Sequence, residues 1–144
     1  MKQALKELLK HFALYLAGGC IYIVMELGFR GHSHWSMFLV GGLCFLLIGG
    51  INNWISWKMP IWLQGVIGDA VIVAIELLSG YILNIRMGLG VWDYSNLPMN
   101  FLGQICLPFA ILWFPVAVFG IIIDDYLRYW FFKEEKPQYY LWFQ

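Results

Sequence analysis

Residues 61–83 read IWLQGVIGDAVIVAIELLSGYIL, an apolar run from Ile61 to Leu83 in which only Asp69 and Glu76 can carry charge. At ~1.5 Å per residue such a run crosses a hydrocarbon core of ~30 Å as one helix. Three further runs match it: Phe12 to Phe29 with Glu26 near its end, Trp35 to Ile51 closed by Asn52-Asn53, and Phe101 to Ile123 stopped by Asp124-Asp125. None alternates apolar and polar residues as a membrane barrel strand would. Lipid leaves no water for an open backbone, so helices are the remaining solution.

Composition agrees. Hydrophobic residues make up 61% of the 144 and charged residues 12%, against ~45–50% and ~25% in a soluble domain. A chain of this length makes one domain, residues 1–144. The charge sum is zero, which leaves no basic field for nucleic acid. The chain reads as an all-α polytopic membrane protein, a four-transmembrane-helix bundle with an N-terminal amphipathic helix. That helix is expected over Met1–Lys10, where Leu5, Leu8 and Leu9 alternate with Lys2, Lys6 and Lys10. The aromatic-rich stretch from Tyr126 to Phe143 reads as an interfacial segment.

Lys and Arg set the orientation. Lys2, Lys6, Lys10, Lys58, Arg128, Lys133 and Lys136 flank one side of the spans, against Arg30 and Arg86 on the other. Both termini are therefore expected in the cytoplasm of a multi-pass cell-membrane protein, with loops Gly28–His34 and Asn84–Asn100 outside. Ala17-Gly18-Gly19-Cys20 looks like a lipoprotein processing site, but the apolar run continues past it to Phe29, so the helix is retained. Cys20, Cys44 and Cys106 all fall inside spans and read as buried thiols.

Ionisable groups in a span cost ~2.5–3.5 kcal/mol each on insertion scales. Asp69 and Glu76, seven apart, share a helix face with Gly65, Ile72, Ser79 and Gly80. That stripe belongs inside the bundle, for inter-helix hydrogen bonding or as a proton, cation or solute path. Glu26 and Glu76 lie toward the outer loops, which supply Arg30, His32, His34, Arg86 and Asp93. A salt bridge from Glu26 or Glu76 to Arg86 is one use of this cluster; a site for a charged headgroup or solute is the other. His32 and His34 are weak metal candidates without a third ligand. No phosphate loop, HExxH or nucleophile elbow occurs, and no cofactor is expected.

Two features concern packing. Gly41-Gly42 and Gly49-Gly50 recur on similar faces of the second span and predict a close helix contact, dimerisation included. Pro108 and Pro115, with Gln104 on the same side, predict a kinked fourth helix.

The segment between the third and fourth spans is the most distinctive. It carries Trp92-Asp93-Tyr94-Ser95, then Leu97-Pro98 and Asn100, then Gly103-Gln104-Ile105-Cys106. With Glu76 and Gly80 upstream and Trp113 downstream, these residues resemble a bacterial membrane-protein family, the ABC-transporter type IV or CmpB-like permeases. The resemblance runs from the second span onward and implies a permease-like transport component. It supplies neither a substrate nor catalytic residues. Candidate pathway residues are therefore Glu26, Asp69, Glu76, Arg86, Asp93, Asn100 and Gln104. A homo-oligomer or a partner membrane subunit is expected around so small a bundle. The alternatives are an intramembrane enzyme acting on a lipid or lipid-linked substrate, and a non-catalytic membrane interaction protein. The loop Asn84–Asn100 is expected to fold as a lid over Glu26 and Glu76, with Asp93 beside Arg86 or a histidine.

Overall fold

The computed structural model describes residues 1–144. Its elements are α1 (Lys2–Arg30), α2 (Trp35–Gly49), the single turn α3 (Ile51–Trp54), α4 (Ile61–Gly80), a π-helical continuation Tyr81–Arg86, and α5 (Leu107–Phe132). Four helices are long and apolar enough to cross a membrane: Lys2–Arg30, Trp35–Trp54, Ile61–Arg86 and Leu107–Phe132. Of 98 backbone hydrogen bonds, 79 lie within helices, the internal pairing that lipid demands. The chain is thus a multi-pass, all-α membrane bundle.

Local chemistry sets the breaks. α1 stops at Gly31, whose φ of 76° is the left-handed cap, with its N–H on the Leu27 carbonyl at 2.9 Å. His34 then caps α2, its Nδ1 accepting the Ser36 N–H. Pro60 precedes the first residue of α4.

Several boundaries differ from the sequence reading. The N-terminal amphipathic stretch is helical but continuous with the first span, because nothing between Lys10 and Phe12 breaks the helix. The fourth helix begins at Leu107 instead of Phe101. Residues Met99, Leu102 and Gly103 take positive φ, and Phe101 pairs with Ile105 in an isolated bridge, so this apolar stretch is a tight turn. Pro108 then falls in the first turn of α5, where it breaks no bond, and only Pro115 lies inside the helix. At the other end Asp124-Asp125 do not stop α5, which continues to Phe132. The expected interfacial segment is therefore helical to Phe132. Beyond it the chain doubles back: Ile61 N–H donates to the Tyr140 carbonyl at 2.9 Å and Trp62 Nε1 to the Leu141 carbonyl at 3.1 Å.

The core lies where α2, α4 and α5 meet, around Ile48, Ile51, Ile72, Trp113, Ala117 and Ile121. Outside it the surface is apolar too; Val24, Ile111 and Phe119 are each more than 60% exposed, as lipid-facing residues are. Glycines set the close approaches. Gly18 and Gly41 leave room for Phe45 and Tyr22, so α1 and α2 pack backbone against side chain. The glycines of α2 are thus spent inside the chain: Gly41 and Gly42 face α1, and Gly49 faces Asp124 of α5. They do not form an open face for a second copy.

Candidate functional site

The end of the bundle away from the termini, the distal end, holds a cavity of about 200 Å³ between α1 and α5. Its floor is Glu76, which α4 points inward from the same stripe as Gly65, Ile72 and Gly80. Glu76 is 8% exposed. Its Oε1 accepts the Tyr94 hydroxyl at 2.9 Å and its Oε2 accepts Trp113 Nε1 at 3.0 Å. Both donors are neutral, and no cation reaches this carboxyl. Tyr94 stacks on Phe109 at 4.7 Å, and Phe109 in turn leans on Trp113 and Phe29. An aromatic wall thus encloses one acid.

Glu26 lines the same cavity but is neutralised. Arg30 Nη2 lies 2.5 Å from its Oε1, one helical turn away, and Arg30 Nη1 donates to the Val91 carbonyl at 3.2 Å. The expected bridge to Arg86 is not made. Arg86 ends the π-helical segment on the exposed side, whereas Arg30 sits at i+4 on the helix of Glu26 itself.

The loop after α4 does fold onto the bundle, by a different residue than expected. Asp93 is exposed and accepts the backbone N–H of Ser95 at 2.9 Å and the Ser95 hydroxyl. Those donated bonds hold its carboxyl below the usual range, and no Arg or His approaches it. Asp93 shapes a local turn because its side chain is short enough to reach the amide two residues on. Trp92 and Tyr94, on either side, are the residues that enter. Trp92 is buried with Nε1 on the Gln104 carbonyl at 3.0 Å. Burial and the Glu76 carboxylate push the Tyr94 hydroxyl well above its ordinary pKa, so it stays a donor.

Gln104 and Asn100 hold this loop rather than line the cavity. Gln104 Oε1 accepts Asn84 Nδ2 at 2.8 Å, and Asn84 Oδ1 accepts Val91 N–H at 2.7 Å. Asn100 bonds Ser95 and Leu97 carbonyls and the Gly103 amide. Asn84→Ala removes two bonds of this brace, each worth about 0.5–1.5 kcal/mol. Protection of the Val91 amide from hydrogen exchange should fall about tenfold or more. Unchanged protection would show that Trp92 alone anchors the loop.

The remaining candidates separate. Asp69 lies lower on α4, half-buried, with Oδ1 enclosed and lacking a protein partner. It does not line the cavity that holds Glu76. His34 is occupied by its cap and by Ser36 Oγ at 2.6 Å, and His32 contacts the Arg30 carbonyl. No three His, Cys, Asp or Glu side chains converge as a metal site.

A second polar cluster lies at the end of the termini, and its residues read in sequence only as span terminators. Asp124 is fully buried and its Oδ2 accepts Arg128 Nε at 2.6 Å. Asp125 Oδ2 accepts Asn52 Nδ2 at 3.0 Å and the Tyr139 hydroxyl at 2.8 Å. Burial and Asp125 raise the Tyr139 pKa, so this hydroxyl too remains a donor. Glu134 links the cluster to α1 through Lys10 at 2.6 Å. The one available signal was the i, i+4 spacing of Asp124 and Arg128, which lets an acid and a base neutralise each other within a continuing helix. Two polar sites thus close the bundle, one at each end.

No solved structure matches the chain. Residues 11–142 match the model of the family described as Putative ABC-transporter type IV, a span that takes in all four membrane helices and both polar sites, and the chain belongs to that family.

Proposed function

We propose that the protein is a permease-like transport component of the bacterial cell membrane, with both termini cytoplasmic and the Glu76 cavity as its solute site. One observation carries the reading: a buried carboxyl meets only neutral donors inside a cavity of about 200 Å³. An acid that served the fold alone would gain more from a cation partner, as Glu26 does with Arg30. Asp69, further along the same helix, extends the acids toward the other side of the membrane. Family membership supports a transport-related role. Four helices enclose little space, so the working unit is a homo-oligomer or includes a partner membrane subunit.

Proteoliposomes test this with radiolabelled rubidium, choline, putrescine, proline and glucose under an imposed gradient. Saturable uptake of at least one solute is expected, and Glu76→Gln should lower it about tenfold or more, since glutamine keeps the shape and both donors while losing the charge. Equal uptake by both proteins, or none by either, would overturn the assignment.

A further inference from the structure

α1 packs along α2, and α5 packs along α4, but α1 and α5 scarcely touch. Two cavities lie in line along the seam between them. The distal one holds Glu76; beneath it is a second of about 180 Å³, and Tyr22, Met25, Trp113 and Val116 line both. The lower cavity is walled by side chains such as Phe45, Ile48, Ile72 and Phe119 and has no charged residue. Each is larger than the ~150 Å³ apolar cavity that holds a benzene ring. Met25, Phe29, Leu112 and Phe119 border the seam and are exposed on the lipid-facing surface, so a ligand can enter from the bilayer.

The charge balance of the distal half decides what enters. It contains Glu26, Glu76 and Arg30. Arg30 is committed to Glu26 and to the Val91 carbonyl, which leaves Glu76 as an acid without a counter-ion. The rings of Tyr22, Phe109 and Trp113 line the same space, and aromatic faces present negative potential to a cation. An anion would meet repulsion from both; a cation is drawn by both. The lower half offers only apolar contact.

We infer that the α1–α5 seam binds a cationic amphiphile, its positive head against Glu76 between Trp113 and Tyr94 and its apolar tail in the cavity beneath. This rests on the reading of the Glu76 cavity as a solute site and names the class of solute. The polar and apolar halves match such a molecule in order as well as in kind.

The test titrates radiolabelled dodecyltrimethylammonium, below its micelle concentration, onto the full-length protein in nanodiscs of a zwitterionic lipid. Saturable binding is expected, with dodecyl sulfate and dodecyl maltoside failing to compete. Glu76→Gln should weaken it about 30-fold or more, the cost of removing one partner of a desolvated charge pair. Val116→Phe, which fills the neck shared by the two cavities, should weaken dodecyltrimethylammonium while leaving tetramethylammonium unchanged. That variant keeps the test open if Glu76→Gln fails to fold. A two-chain trimethylammonium lipid built into the nanodisc separates the sources: competition points to a membrane lipid, and its absence to a free amphiphile.

Non-saturable binding, equal competition by the maltoside, or full affinity in Glu76→Gln would overturn the inference. If binding fails in these ways while solute uptake still depends on Glu76, the cation class is wrong and the transport reading stands. If uptake is also indifferent to Glu76, both fall.

Discussion

Replacing Arg128 with methionine should destabilise the protein by about 3–5 kcal/mol, the cost of leaving a buried charge unpaired. Arg128 is 4% exposed and Asp124 is completely enclosed. The guanidinium Nε is the one hydrogen-bond donor to the Asp124 carboxyl, at 2.6 Å. Gly49 across the interface has no side chain, so the carboxyl lies flat against α2 with no route to water. Methionine keeps the length and apolar body of arginine and removes only the charge and its donors. Thermal unfolding in detergent should show a large fall for Arg128→Met. Adding Asp124→Asn, which removes the stranded charge, should recover at least half of it. A single variant as stable as the parent would show that Glu134, 3.8 Å from the same guanidinium, and not Asp124, sets the energetics there.

The second large effect is steric. A methyl group at Gly42 would sit 2.7 Å from the Tyr15 carbonyl oxygen and 3.0 Å from its ring. The ring could turn, but the backbone oxygen cannot, so α1 must move off α2. Overpacking of this kind costs about 1–3 kcal/mol. Gly42→Ala should therefore lower the unfolding temperature, whereas Gly28→Ala, with nothing within 4 Å of the added carbon, should be neutral or gain up to ~1 kcal/mol of helix propensity. Equal behaviour of the two would mean that α1 and α2 are not held at this distance.

The spans were legible because long apolar runs have only one stable form in lipid. Their ends were less so. Phe101–Cys106 is as apolar as a helix, and only the left-handed Met99, Leu102 and Gly103 reveal it as a turn. Asp124 and Asp125 look like stop signals until Arg128, Asn52 and Tyr139 are placed around them. Glu76 stood out as an acid in a span, but its partners lie 18 and 37 residues away, beyond what helical spacing can pair. Glu26 shows the opposite case. Its partner was four residues along the same helix, and the more distant Arg86 had seemed the better match. Asp93 was the conspicuous charge in its loop, yet the loop is seated by the aromatic residues beside it.

The π-helical stretch Tyr81–Arg86 changes how this family could tolerate changes in length. A π turn holds more residues than an α turn, and here Met87 N–H reaches back to the Ile82 carbonyl, five residues earlier. The wider winding sets the angular phase of Asn84, which must face Gln104, against that of Glu76, which must face Trp113. Removal of one residue from this stretch would let it rewind as α-helix and turn everything beyond it by about 100°. The loop with Trp92 and Tyr94 would then leave α4 from the wrong side. Length is thus under constraint at a place where the individual side chains, Ile82 and Ile85 among them, point to lipid and could vary freely. A deletion there should be worse than any substitution.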